Sequence, residues 1–493
     1  KNCSLTGTGM VSCAHLPTYR ESWSETFWPD LTGSIAAPYA QEGLHLNFLN
    51  FLFAGPFLGV FAGNMTILDA RPHYQQQVAT GVIGANDVER IAQLSAAEKY
   101  DLLLGDLEFT FTTRVLMMVR QIEADHQMAA WSGICDGWSS ASLHYMRPEQ
   151  AIEVRGRLGH RIRFFPADIK GLASFLWAKS FDRAAPNKTF GAGYQCQRSG
   201  AVDLHTGRPE DPTCNDINPG FFHIATVNML STDQHGFVFD NAHSGKVMNQ
   251  PAFAYEYKYF RPDNRAETTR LDLAKKAIDR RTGFVGNSRD PFARFRSARA
   301  THVVGVKMKI HFKKEHPAPH SSLRDFRLGD PAAAGVEHAS IDRNSGTDLL
   351  YDLELDAAGN IVGGEWHYFD DMGRPAVFDG MNFTHPDTLW LVVPGIEMFS
   401  SVMEPIWNVG ESMPAELPGV AAQAALTMKP PFGPNDVVQH PVYRPQPLAT
   451  IVYNLMAQAH PRQPQVTIER IPGRYRDSFP WLSDAEWARP DAN

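Results

Sequence analysis

The chain changes its hydrophobic rhythm along its length. Residues 1–85 are rich in glycine, proline and aromatics and hold no sustained period. At Asn86-Asp87-Val88-Glu89 a polar cap with an acidic first turn predicts a helix start. Helix formers follow over 96–104 and 109–126, where Val115, Met118, Ile122 and His126 recur at helical spacing. Pro148 closes this stretch, because proline lacks the donor and clashes with the preceding turn. Residues 161–165 read as a strand, 168–179 as a helix and 181–219 as loop. Residues 221–230 and 236–240 read as two strands joined by a polar turn. From residue 300 alternation with period two dominates, over 301–312 and then 351–355 and 361–366 around Ala357-Ala358-Gly359-Asn360. The proline-rich end, notably 430–434 and 441–447, predicts an irregular or small β appendage. The pattern is that of an α+β protein.

Composition narrows the class. The 493 residues are 43% hydrophobic, 11% aromatic and 20% charged, enough for a large core and for roughly two to four domains. The net charge of -8, with scattered basic residues, points away from a nucleic-acid partner. The longest apolar stretch, 44–62, is interrupted by Asn47, Asn50, Gly55, Pro56 and Gly59, so no spanning helix is expected. The opening at Lys1 reads as a processed or truncated chain. The five cysteines fall into near pairs, Cys3 with Cys13 and Cys196 with Cys214, and leave Cys135 as the odd one out. Two disulfides and one thiol describe an exported protein, secreted or periplasmic; the alternative is five thiols in a cytosolic one.

The strongest local signal is Trp131-Ser132-Gly133-Ile134-Cys135-Asp136-Gly137-Trp138, a small-residue turn ahead of a helix predicted over 139–145. A helix N-terminus favours a thiolate, and its amides suit an oxyanion. The alternative for Cys135 is a buried structural cysteine. A thiol nucleophile needs a base, usually histidine, held by a carboxylate or amide. Of 19 histidines, His223 opens a predicted strand and Asp240 ends the next one. With an even connection over 231–236, Leu230 pairs with Phe237 and His223 lies opposite Ser244, so Asp240 shares its face. An odd connection favours Asn241 as orienter. His126, His144, His235, His243 and His385 read as structural or surface residues.

This order of Cys, His and Asp resembles the core of transglutaminases. Val247-Met248-Asn249-Gln250-Pro251, followed by Phe253 and Tyr255, resembles a short surface motif of the transglutaminase elicitor family of oomycetes, which has bacterial relatives. The family has Trp where Met248 stands and a basic residue where Phe253 stands; the intrinsic role expected here is a β edge packed by Pro251 and aromatics. Leu353-Glu354-Leu355-Asp356, Gly363-Gly364-Glu365-Trp366 and His385-Pro386-Asp387 are similar to the family's later β region, so the resemblance covers about 110–390.

The resemblance implies a papain/transglutaminase-like core, in which a helix carrying Cys135 packs on an antiparallel sheet carrying His223 and Asp240. Residues 86–265 are then the catalytic core and 266–393 its β-rich part; outside the resemblance, 1–85 are expected to be a pro-segment or accessory region and 394–493 a proline-rich appendage. It implies protein-glutamine γ-glutamyltransferase activity on proteins with accessible glutamine and lysine side chains. Trp131, Asp136, Trp138 and Asn241 are candidate oxyanion or substrate residues. A papain-like peptidase or deamidase would use the same groups in the same order, and a non-catalytic recognition protein is a third reading. No organic cofactor is expected. Calcium would draw on Asp352, Glu354, Asp356, Asp370 and Asp371, although acids alternating on a strand more often form a solvated face.

Overall fold

The structure is a computed structural model that describes residues 10–17, 21–40, 71–124, 131–179, 189–193, 206, 208, 217–232, 234–240, 247–336, 340–367, 386, 388–392 and 447–460. The chain forms two compact units interleaved in sequence. One comprises 23–189, 314–343 and 392–493; the other comprises 1–22, 190–313 and 344–391.

The first unit is mainly helical. Helix α1 (Ala96–Leu104) starts in a capping box, with Ser95 Oγ accepting from Glu98 N and Glu98 Oε2 accepting from Ser95 N. Asp101 of α1 then acts as a remote cap for α2 (Thr110–Ala124), accepting from Phe111 N at 3.1 Å and Thr112 N at 2.9 Å. Helices α3 (Cys135–His144) and α4 (Pro166–Lys179) pack against each other. Their approach is so close that a Cβ on Gly137 would lie 2.0 Å from Ser174 O and 2.7 Å from the Ala178 Cβ. Asp168, in the first turn of α4, accepts from Phe165 N at 2.7 Å, from Tyr39 Oη at 2.7 Å and from Lys99 Nζ at 2.6 Å. An antiparallel hairpin, Ile152–Arg155 with Arg161–Phe164, completes the chain between α3 and α4. The helix Pro447–Ala459 also belongs here; Ile451 and Leu455 are buried, and His460 Nδ1 donates to Arg147 O at 3.0 Å. That helix stands where the proline-rich sequence predicted irregular or β structure, with Pro447 at the helix start, where its missing N–H costs nothing.

The second unit is built on a mixed-length antiparallel sheet. Its strands include β1 (Ser12–His15), β2 (Phe237–Asp240), β3 (Asn249–Phe260), β4 (His302–Lys314), β5 (Arg343–Leu355), β6 (Ile361–Trp366) and β7 (Thr388–Val392). Strand β3 is interior, paired with β2 and β1 and with β4. Its β4 register ends at Ala252 opposite Phe312, so Pro251 lies beyond that ladder and is tolerated. The β edge expected for this segment is therefore corrected to an interior strand. The alternation read over 301–312 holds on β4, where Val304, Val306, Met308 and Ile310 are buried. They meet Tyr351, Leu353 and Leu355 of β5 and Trp366 of β6 in one apolar core.

The main correction concerns residues 221–230. They form helix α5 (Pro219–Val227) and a π-helical turn (Asn228–Thr232), not a strand. The cause is local: the Asn218 side chain accepts from Gly220 N at 2.9 Å and Phe221 N at 3.4 Å, and Pro219 occupies the first helical position. Phe222 is buried against Trp366, whose Nε1 donates to Ile217 O at 2.8 Å. The strand pairing of Leu230 with Phe237, and the face-sharing derived from it, fall with the strand. The fold is thus mixed helix and antiparallel sheet, with two changes to the expected core. Cys135 sits on a helix packed on a helix, and His223 sits on a helix packed against β6.

Gly137→Ala should destabilise the helical unit by about 2–4 kcal/mol, because backbone and not a movable side-chain end blocks the new methyl. A thermal melt of the variant at or near the parent's midpoint would contradict this packing.

Candidate active site

Cys135 is the first residue of α3 and is half-buried. The helix begins as the small-residue turn predicts, four residues earlier than the expected start. Ile134 is the N-cap and offers no side-chain cap. The helical ladder opens with Trp138 N donating to Ile134 O at 3.0 Å, so the amides of Cys135, Asp136 and Gly137 precede it, at the positive end of the dipole.

A strap, residues 23–30, holds this turn. Phe27 O accepts from Ile134 N at 2.8 Å, and Trp23 O accepts from Trp138 Nε1 at 3.2 Å. Asp30 N donates to Ser132 O at 3.0 Å while Ser132 Oγ donates to Asp30 Oδ2 at 2.6 Å. Gly133 is needed because a Cβ there would lie 2.5 Å from Phe27 O. Trp28 holds a positive φ of 50° in this strap, a strained conformation that its burial maintains.

The strap is fixed in turn by buried charges. Lys170 of α4 donates to Ser24 O at 2.8 Å and to Asp325 Oδ2 at 2.6 Å, with its ammonium 5.3 Å from the Trp23 ring. Arg147 pairs with both Asp325 and Asp342, and Ser24 N donates to Asp342 Oδ1 at 2.9 Å. The two cations are thus matched by two aspartates, leaving Glu25 as a surplus carboxyl. Burial pushes it up to about 7, against the pull of Lys170. Nearby His316 is buried and is driven down to about 3 by desolvation.

His223 lies on α5 and is buried. Its Nδ1 is 2.7 Å from the Tyr351 hydroxyl, and its ring meets Tyr257 edge-on at 4.9 Å. Burial lowers it to about 4, so the imidazole is neutral near pH 7. Asp240 ends β2, is buried, and accepts from Met248 N at 2.8 Å. Cys135 belongs to the helical unit, His223 and Asp240 to the sheet unit.

The other candidates divide plainly. Trp138 is a core anchor, fully buried, and Trp131 and Asp136 are half-buried. Asn241 lies outside the described residues, as do His126, His243 and His385. So do Cys3, Cys196 and Cys214, and with them the two cysteine pairings; Cys13 is on β1. His144 Nδ1 donates to Ser140 O at 2.8 Å and stacks on Trp177, and His235 Nδ1 lies 2.6 Å from Gly236 O. Within the elicitor-like motif, Asn249, Gln250 and Phe253 are buried in the sheet while Met248 is exposed. The acids considered for calcium have other partners: Asp352 and Glu354 face Arg296, and Asp356 accepts from Ala358 N and Asn360 N of its own turn. Asp370 and Asp371 lie outside the described residues. Among the described residues no group of three or more acidic, histidine or cysteine side chains is arranged to hold a metal, and no helix is long and apolar enough to cross a membrane. Sequence reading missed the strap, its buried charges and Tyr351; only Asn218-Pro219 carried a legible signal, for the helix beneath His223.

The family model described as transglutaminase elicitor matches residues 117–397, more than half of the chain and close to the span of the resemblance. Among curated proteins none matches. Among solved structures the chain is similar to the GP42 transglutaminase from Phytophthora sojae at 20% identity, covering 78% of this chain and 84% of that one, with a TM-score of 0.43.

Glu25 gives a pH test of the strap. Its folded value lies above its ordinary 4.5, so its contribution to stability is complete below about 4.5 and lost as pH rises through about 7. Glu25→Gln should melt much like the parent at pH 5 and higher than it at pH 8, by up to about 3 kcal/mol. A difference that stays constant across this range would contradict the surplus-carboxyl account.

Proposed function

We infer that this chain, which belongs to the transglutaminase elicitor family, is an exported protein-glutamine γ-glutamyltransferase with Cys135 as nucleophile. The observation that carries this reading is Cys135 at the first position of a helix without a side-chain cap, inside the family match. A charged or hydrogen-bonding cap would compete for the amides that a thiolate or oxyanion requires.

The proposed reaction is acyl transfer in two halves. The Cys135 thiol gives its proton to His223 Nε2, and the sulfur attacks the side-chain carboxamide carbon of a protein glutamine. The C–N bond of the tetrahedral intermediate then breaks. The nitrogen takes the proton from the imidazolium and leaves as ammonia. A lysine amine attacks the thioester carbon, passes a proton to His223, and releases the sulfur, which recovers that proton as a thiol. Glutamine and lysine are then joined by an isopeptide bond. With water as acceptor the product is glutamate. Asp240 stays in the proposed triad on the family resemblance, as a buried carboxylate. The two cysteine pairings, Cys3–Cys13 and Cys196–Cys214, belong to the proposed exported state.

A neutral base sets the pH dependence. With His223 near 4, it is competent above that value and protonated below it, so the acid limb of kcat/KM should fall near pH 4.

Incorporation of a labelled primary amine into a glutamine-rich protein tests the reading. The full chain should incorporate the amine and release ammonia, and Cys135→Ala should lose at least about a thousandfold in rate. Peptide-bond cleavage without ammonia release would replace transfer by proteolysis. Full amine incorporation by Cys135→Ala would sink the assignment of the nucleophile.

A further inference from the structure

A histidine base needs a defined tautomer. Its Nδ1 must carry a hydrogen held by an acceptor so that Nε2 presents a lone pair. A carboxylate usually supplies that acceptor, and Asp240 was the sequence-based expectation. Here the atom 2.7 Å from Nδ1 is the phenolic oxygen of Tyr351.

The surroundings determine what that oxygen offers. A hydroxyl has one hydrogen and two lone pairs. Met308 Sδ, which can only accept, lies 3.7 Å from the Tyr351 hydroxyl, so the phenol has a place for its hydrogen that leaves a lone pair for the imidazole. The phenol is fully buried, packed edge-on to Trp366 at 5.1 Å, and sits on β5 in the same alternating row as Leu349, Leu353 and Leu355. It has little freedom to turn away. His223 is braced from another direction by the Tyr257 ring. Burial holds the Tyr351 phenol well above its ordinary range, so it remains a neutral acceptor and donor at every working pH.

We propose that Tyr351 is the positioning residue for His223, accepting the Nδ1 hydrogen and thereby leaving Nε2 as the basic nitrogen. This role rests on the acyl-transfer reading above. It also changes the character of the base. The neutral phenol orients the imidazole without lending a charge of its own, which leaves any charge stabilisation of the imidazolium to Asp240 in the proposed triad.

The test is nitrogen NMR on the full chain labelled with 15N-histidine, with His223→Gln used to assign the His223 signals. Amine-incorporation kinetics are measured on the same proteins. In the parent chain His223 should be the Nδ1–H tautomer. Tyr351→Phe should lose that preference and lower kcat roughly ten- to a hundredfold with little change in KM.

The outcomes separate the two claims. A parent His223 in the Nε2–H tautomer, or an unchanged Nδ1–H population in Tyr351→Phe, overturns the role of Tyr351 even in an active enzyme. A parent chain with the expected tautomer but no acyl transfer overturns the functional reading, and the role of Tyr351 as a positioner of a base falls with it. If Tyr351→Phe fails to fold, Tyr351→Met, which supplies an unbranched apolar side chain without the hydroxyl, takes its place with the same expectations.

Discussion

The placement of Cys135 depends on two buried cations. Lys170 and Arg147 cannot be left unpaired in the helical core without a cost of several kcal/mol, so Asp325, Asp342 and the Ser24 carbonyl are drawn around them. That pins the strap at Ser24. From there the backbone oxygens of Trp23 and Phe27 reach α3, one to the indole of Trp138 and the other to the amide of Ile134. Glycine at 133 and 137 lets the turn meet the strap and the helix meet α4. The strap and the two glycines thereby set Cys135 at a helix start. Residues 23–30, within the N-terminal region, are built into the fold behind the turn that carries Cys135.

The proposed base is held differently. His223 is held by aromatic neighbours and a phenol, and burial keeps it neutral. A neutral base suits a reaction in which each proton moves as its bond forms or breaks. An ion pair already formed at rest would need a charged partner beside the imidazole to sustain it, as carboxylates do in hydrolytic triads.

Much of this was legible in the sequence, and the failures have physical causes. The helix start at Cys135 was anticipated because glycines and serines around a lone cysteine signal a tight turn into a helix. The β4, β5 and β6 strands were anticipated from apolar side chains recurring with period two, a pattern that on β5 persists although the alternate acids Asp352 and Glu354 are themselves buried against Arg296. Residues 221–230 were misread because Phe, Ile, Thr and Val are favourable in strands as single residues. The Asn218 cap, the proline after it and burial against Trp366 outweigh that preference. Tyr351 was hidden for a related reason: in an alternating row of buried residues, one hydroxyl changes nothing in the pattern. The strap and its ion pairs join positions more than a hundred residues apart, as Ser24 with Lys170 and Arg147 with Asp342, and no local period records such pairings.

The central claim is that the Cys135 sulfur carries the acyl group. Intact-mass analysis after brief incubation with a glutamine peptide and acid quenching tests it directly. The account predicts an adduct equal to the peptide less one ammonia, mapped to Cys135 and discharged by a primary amine. An active chain that forms no such adduct, or forms it at another residue, would contradict it.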